Sequence, residues 1–405
     1  MIILKIAFRN IFRQKRRSIL TALSMFGGFF LACFFIGYSD GAYNQIISMF
    51  TRNNLGHIQI HEKSYLDKPS LYKTVDDYKV LYKKLSEIEG VESYSPRIYS
   101  AGIASVGKKS SGVKITGLDL KKEIRTTNFD KKVFSGNLFS SPTANEVIVG
   151  EGLAKVLKAS PGEDLIVVSQ GADGSIANDS YRIIGLLRSG NELEDRMTIY
   201  IPLETAQELL VLKGRIHEIA VTVKSLGSVQ DMNGVIKEKI NSDKLSVVPW
   251  QVFAKSFYDA MQADVAGMWV MLLIIMFVVA VGVLNTVLMS VLERRREYGV
   301  LKAMGTKPRD IIKLILLEIN ILALLCIILG SIAGLAINYI FSKHGITLPE
   351  PITYGGMKFH QMTSEINLRS FIIPAFIVVL SATFVGFFPA LKAARTDPSK
   401  AMRTY

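Results

Sequence analysis

Three groups of side chains in this sequence have types and spacings that chemistry could use. The first, Gly102-Ile103-Ala104-Ser105-Val106-Gly107-Lys108-Lys109, falls one residue short of a phosphate-binding loop, G-x-x-x-x-G-K-[ST], whose backbone amides cradle phosphates and whose hydroxyl holds magnesium. Lysine stands where the hydroxyl is needed, so the expectation is a turn between two strands. The second group is His57, Gln59 and His61, which share one face if the stretch alternates as a strand. Two imidazoles begin a zinc site, but no third ligand stands nearby, and an exposed polar strand face is expected. The third is Glu318, a lone carboxylate within an apolar run. An ionisable group there is either functional or a carboxylate reaching the interface to pair with an arginine. No G-x-S-x-G, H-E-x-x-H or C-x-x-C pattern occurs. The chain is read as non-catalytic, with no metal ion and no cofactor of its own.

The elements that must position these residues follow from how polarity is segregated. Of 405 residues, 49% are hydrophobic and 20% charged, and the two kinds sort into blocks. Runs at 19–38, 265–292, 314–341 and 371–391 are almost free of charge. Each is long enough to cross about 30 Å of hydrocarbon as a helix. Basic residues crowd the segments before the first run, after the second and after the fourth. Their surplus over acidic residues in those three segments equals the whole chain's net charge of +13. The charge is thus a topology signal that places both termini in the cytoplasm, and it leaves no basic patch for nucleic acid. Cys33 and Cys326 fall inside spans, so the remainder folds without disulfides. Leu31-Ala32-Cys33 faintly resembles a lipoprotein cleavage box, but the apolar run continues past the cysteine, so an uncleaved signal anchor is expected.

Residues 1–18 read as an amphipathic helix with Ile2, Ile3, Ile6, Ile11 and Phe12 on one face, a shape that suits an anionic inner leaflet; a plain topogenic charge cluster needs the same charges. Residues 39–264 form one extracytoplasmic segment. Strand-like runs recur at 56–61, 112–117, 146–149, 164–169, 181–187, 197–201, 216–223 and 245–248, and helical spacing at 76–88, 152–158, 203–212 and 229–241. Both ends, 39–52 and 253–264, look helical and run into a span, forming a stalk. The outer link 342–370, with Pro349, Pro351 and Gly355-Gly356, reads as a loop.

At the end of the second span stands Asn285-Thr286-Val287-Leu288-Met289-Ser290-Val291-Leu292-Glu293-Arg294-Arg295-Arg296-Glu297-Tyr298-Gly299-Val300-Leu301-Lys302-Ala303-Met304-Gly305. This resembles the signature of the FtsX/MacB family of ABC permeases, N-T-x-x-x-S-V-x-E-R-x-x-E-x-G-x-L-K/R-A-x-G. Ala7-Phe8-Arg9-Asn10-Ile11 with Arg16-Arg17-Ser18 resembles the family's start, and Phe388-Pro389-Ala390-Leu391-Lys392-Ala393-Ala394-Arg395-Thr396-Asp397-Pro398 its end. Looser likenesses lie at 113–119 and 146–154. The fold implied is an α-helical membrane protein of four transmembrane helices, with a mixed α/β extracytoplasmic domain of the MacB periplasmic type inserted between helices 1 and 2.

The resemblance implies that 293–313 carries a coupling helix seated in a groove of a separate cytoplasmic ATPase, which binds the ATP and magnesium. Its candidate contacts are Glu293, Arg294, Arg295, Glu297, Gly299, Lys302, Ala303 and Gly305. The charges offer pairs to a partner, while the glycines permit close approach and a sharp exit turn. An ordinary positive-inside loop accounts for the charges but not for the glycine spacing, Asn285 or Glu293. Within the family, a chain of this size is most similar to the lipoprotein-releasing LolC and LolE permeases. That implies a lipoprotein cargo, a periplasmic carrier, and a second permease copy or a related permease. A MacB-like efflux or lipid-handling permease, or an FtsX-like regulator of a cell-wall hydrolase, is the alternative. Phe30, Phe34, Met268, Trp269 and Met271, near Phe29, Phe35 and Met276, are the candidate path for cargo acyl chains, or else plain lipid-facing and helix-packing surface.

Overall fold

The computed structural model describes residues 2–13, 15–354 and 357–396. Gly355-Gly356 and the tail with Asp397-Pro398, Lys400 and Arg403 lie outside the described residues, as do the side chains of Ile2, Ile3, Phe12 and Arg17. Along the chain come α1 (Ile2–Arg13), α2 (Lys15–Phe50), β1 (Ile58–Glu62), α3 (Tyr78–Ser86), β2 (Val91–Val106), β3 (Lys109–Leu118), α4 (Leu120–Thr127), β4 (Val133–Gly136), β5 (Glu146–Gly150) and α5 (Glu151–Leu157). There follow β6 (Asp164–Gln170), β7 (Ile176–Leu187), α6 (Glu192–Asp195), β8 (Thr198–Pro202), α7 (Leu203–Leu209), β9 (Glu218–Val223), α8 (Val229–Ile240), β10 (Leu245–Pro249) and α9 (Trp250–Phe253). The chain closes with α10 (Lys255–Glu293), α11 (Arg295–Ala303), α12 (Pro308–His344), β11 (Ile346–Tyr354), β12 (Met357–Met362) and α13 (Arg369–Ala394). Two compact units result, one holding residues up to Asn44, Gln262–Thr347 and the chain from Gln361 on, the other Gln45–Met261 and Leu348–His360.

In the first unit, α2, α10, α12 and α13 are long and apolar enough to cross a membrane. Each extends beyond the apolar run read from sequence, because a helix continues past the hydrocarbon wherever its backbone ladder is unbroken. On α10 the buried residues Met276, Val279, Val283 and Val287 recur every three or four positions, as a one-sided helix contact requires. Without a hydrophobic drive between helices in lipid, close approach matters more. A Cβ added at Gly330 of α12 would stand 2.5 Å from the ring of Phe29, so only glycine admits that ring. On α1 the buried pair is Ala7 and Ile11, four apart, while Ile6 is exposed. Ile6 therefore leaves the apolar face assigned to it, because α1 packs one narrow stripe against α12.

The second unit is built on a ten-stranded sheet ordered β10-β1-β9-β2-β3-β8-β5-β7-β4, with β6 pairing β2 and β7. The pairings are antiparallel except β3 with β8 and β5 with β7. Val106 pairs with Lys109, so Gly107 and Lys108 form a two-residue hairpin turn with Gly107 at φ +55°. The near-miss phosphate loop is thus a turn between strands, and its glycine supplies the left-handed conformation such turns need. Link 342–370, read as a loop, instead contains the ribbon of β11 and β12. Prolines hide a strand in sequence, yet a two-stranded ribbon is all edge and tolerates missing amide donors. Lys358 on β12 pairs with Glu192 at 2.7 Å.

The polar face of β1 is also a correction. His57, Gln59 and His61 are all buried rather than exposed, because β1 lies between β10 and β9 and both of its faces are covered. His57 Nδ1 accepts the Val223 amide at 3.0 Å. Gln59 donates to the Leu55 carbonyl at 2.9 Å. His61 Nε2 lies 3.5 Å from Glu218, and its ring stacks on Tyr65. Among the described residues no group of three ligands could hold a metal ion.

Behind this face lies a buried charge cluster. Arg97 on β2 grips Glu123 on α4 with two hydrogen bonds, 2.6 and 3.2 Å, and Glu218 on β9 with one of 3.1 Å. Its remaining donor reaches the Asn54 carbonyl at 2.7 Å, in the π-helical turn Thr51–Leu55 that ends the first long helix. Lys132 donates to the Asn53 carbonyl of the same turn. Burial pushes the Lys132 ammonium down to about 8. Burial acts to raise both glutamates, but the charge and donors around them, Arg97 above all for Glu123 and His61 with Arg97 for Glu218, outweigh it and hold the carboxyls below their ordinary value.

Burial, helped by the charge of Arg52, pushes the His57 imidazole down from 6.5 to about 4. Its folded value is depressed, so the stability it contributes is complete above about 6.5 and drains as pH falls from there toward 4. The loss over that window should reach about 3 kcal/mol. His57→Gln should flatten the fall in melting temperature between pH 7 and pH 4. An unchanged slope would show that His57 is not its source.

Candidate functional site

The segment joining α10 to α12 owes its shape to three local features. Helix α10 stops at Glu293, and Arg294 (φ −88°, ψ 10°) starts a new axis, so α11 leaves at an angle. Tyr298, one turn in, is buried and pins α11 to the core of the first unit beside Ile311, Ile315 and Val291. Gly305 at φ +94° then turns the chain, Thr306 donates to the Leu301 carbonyl at 3.0 Å, and Pro308 opens α12. A left-handed glycine after a helix and proline at the next helix's first turn are the usual stop and start signals.

The charges divide between inward and outward roles. Arg294 is 7% exposed and sits at the centre of a network. Its guanidinium donates to Glu318 at 3.0 and 3.3 Å and to Glu297 at 2.9 Å, and lies over the Tyr298 ring. A cavity of about 50 Å³ adjoins the pair, lined by Ser18, Thr21, Thr286 and Ser290 among apolar residues such as Ile11, Val287 and Ile319. Glu297 also faces Arg13 of α1 at 3.5 Å, an exposed pair worth little by itself. Lys302 donates to the carbonyls of Ala394 and Thr396, at 3.0 and 2.7 Å, closing the end of α13.

Arg294 and Lys302, assigned by sequence to a partner's surface, are therefore used inside the chain. Burying a guanidinium requires its carboxylates, and a terminal carbonyl cluster recruits an ammonium. Gly299 is buried as well. The open face of α11 instead shows Arg295, Val300, Ala303, Met304 and Gly305, with Met304 69% and Val300 45% exposed. Val300 and Met304 were not singled out by sequence. Their signal is helical spacing, four apart and off the Tyr298 side. Exposed apolar side chains on and just past a short helix that opens with two arginines suit a partner groove.

Of the apolar path residues, Met268, Phe29 and Met276 are buried in helix packing. Long side chains fill irregular gaps between helices. Phe30 and Phe34 are half-buried, stacking on Phe26 and leaning on Phe341. Trp269 and Met271 are exposed, with Arg369 over the Trp269 ring at 5.6 Å. Asn285 is exposed on α10.

Comparison with known proteins accords with this architecture. The model of the FtsX-like permease C-terminal region matches residues 269–398, which include α11, and that of the MacB-like periplasmic core domain matches residues 18–239. An ABC transporter permease of Methanocaldococcus jannaschii is 22% identical over 408 residues, covering 99% of this chain and 97% of its own length. The lipoprotein-releasing system transmembrane protein LolC of Neisseria meningitidis is 19% identical, covering 87% of this chain and 86% of its own length. The macrolide export ATP-binding/permease protein MacB of Pasteurella multocida is 24% identical over 98% of this chain, which spans 59% of that relative. Among solved structures, the periplasmic region of MacB from Actinobacillus actinomycetemcomitans aligns with 50% of this chain at 18% identity and a TM-score of 0.37. With the periplasmic core matched over more than half of the chain and the permease region over most of the rest, the chain belongs to the FtsX/MacB family of ABC transporter permeases.

Proposed function

We propose that the chain is a non-catalytic subunit that pairs with a second copy or a related permease. It takes ATP-driven motion from a separate cytoplasmic ATPase through α11 and moves its periplasmic domain to release lipoproteins from the inner membrane to a carrier. The distribution of basic residues supports cytoplasmic termini and a periplasmic domain for 39–264. The open face of α11, apolar at Val300 and Met304 and basic at Arg295, supports an ATPase groove as its partner. The observation that carries the lipoprotein reading is the match to LolC over 86% of that relative's length. The MacB relative, at 24% identity, favours a second reading as an efflux or lipid-handling permease.

Photo-crosslinkers at Phe30 and Met271 separate the two. Crosslinks to lipoprotein that fade as the ATPase turns over, with lipoprotein retained in the inner membrane when the chain is depleted, are expected. Crosslinks to bulk lipid alone, with lipoprotein release intact on depletion, would leave the efflux reading standing.

A further inference from the structure

Away from the coupling segment, the second unit holds a cleft of about 510 Å³ between α3, the start of α4 and the start of α7. That volume falls in the range of small-molecule sites. Its lining is apolar at depth, through the buried side chains of Tyr78, Leu118, Phe139 and Leu203. Around it stand the ammonium groups of Lys79, Lys121 and Lys122. Of the two carboxylates present, Asp119 is engaged as the N-cap of α4, accepting the Lys122 amide at 3.2 Å, and Glu204 is exposed in the first turn of α7.

Two groups in the cleft lack the partner their chemistry asks for. Lys122 places its ammonium over the faces of Tyr82 and Tyr94, 4.3 and 4.4 Å from the ring centres, and among the described residues no carboxylate pairs with it. Burial lowers its pKa by more than the nearby charge of Asp119 raises it, so that charge and the aromatic faces replace only part of the water it has lost. Tyr82, which also lines the cleft, has its hydroxyl buried with no hydrogen-bond partner. A buried donor without an acceptor is costly, and one anionic oxygen arriving beside Lys122 would serve both groups.

We propose that this cleft binds a small amphipathic carboxylate, its apolar body seated on Leu118, Phe139 and Leu203 and its anionic head held by Lys122 and Tyr82. A carboxylate fits better than a phosphate, because the head meets one compact ammonium and one hydroxyl and no bidentate guanidinium. The site is independent of the cargo and of the ATPase, so it survives either reading of transport.

Isothermal titration of the full chain in lipid nanodiscs, blanked against empty nanodiscs, tests it with three probes of equal length: octanoate, 1-octanol and octylamine. Octanoate should bind saturably and at least about tenfold more tightly than the other two, the factor expected of one charge-assisted hydrogen bond. Lys122→Gln should erase that margin, and Tyr82→Phe should reduce it about threefold. Lys122 is partly exposed, and an unchanged melting temperature would show that its variant folds. Equal binding of octanol and octanoate would reveal a merely greasy crevice and overturn the proposal. So would no saturable heat above the blank, or an unaltered octanoate affinity in Lys122→Gln; the comparison of probes needs no variant at all.

Discussion

Replacing Arg97 with alanine is expected to destabilise the second unit by about 3–5 kcal/mol, the cost typical of removing one partner from a buried charge cluster. For a unit of this size that corresponds to a fall of roughly 10 °C in melting temperature. The residue holds two buried carboxylates, Glu123 and Glu218, and a backbone carbonyl of the turn at Asn54. The pH dependence should also change, through Glu123. In the native protein both carboxyls are held low, so their contribution is complete above the ordinary glutamate value and is lost as pH falls through the lower folded values. Without Arg97, Glu123 loses the largest charge opposing its burial and rises, while His61 and Lys114 still act on Glu218. The protonated form of Glu123 is then favoured on folding, and its contribution drains as pH rises instead. The deficit of the variant should therefore be smaller at pH 5 than at pH 8. Arg97→Met combined with Glu123→Gln and Glu218→Gln should recover much of the loss, since replacing every charge leaves none stranded. A loss below about 1 kcal/mol, or one equal at both pH values, would refute this account of the cluster.

Arg294→Ala should have the larger functional effect. It strands Glu318 among apolar helices and releases the first turn of α11, whose orientation depends on Arg294 meeting Glu297 and Glu318. ATP hydrolysis stimulated by the permease in a reconstituted complex should fall at least about tenfold, the equivalent of 1.4 kcal/mol. Membrane insertion should persist. Met304→Glu on the open face should weaken ATPase binding to a similar degree while leaving melting unchanged, because that side chain touches little of its own chain. Full stimulated activity in either variant would remove α11 from the coupling path. Partial recovery in Arg294→Met with Glu318→Leu would identify the pair as a positioning device, since both charges are then gone.

What the sequence disclosed followed the range of the interactions involved. Spans show in sequence because water and hydrocarbon sort side chains over twenty consecutive positions. The hairpin at Gly107 shows because its turn is two residues long. Strand β2 escaped notice: Val91–Val106 contains Pro96, Gly102 and several serines and alanines, and gains its order from pairing with β3, β9 and β6. Period-two alternation identified the face carrying His57 and His61, but alternation is blind to whether a neighbouring layer covers that face. The charge cluster was invisible for the same reason, as Arg97, Glu123 and Glu218 meet only once strands far apart in sequence are in register. Between α10 and α12 the structure places a short helix, Arg295–Ala303, within the stretch that the family likeness singled out. That likeness could not tell which of its basic residues turn inward, because that depends on Glu318 and on the last turn of α13.

The bond from Lys302 to the end of α13 also imposes an order on synthesis. Its two acceptors, the carbonyls of Ala394 and Thr396, lie 92 and 94 residues downstream. While the ribosome is still making the third and fourth helices, the ammonium of Lys302 has nothing of its own chain to close, whereas Arg294 finds Glu318 only 24 residues later. Helix α11 is therefore half-fastened early and fully fastened last. A nascent or truncated chain lacking its final helix would carry a loose α11, so that completion of the polypeptide itself becomes the condition for fixing that helix.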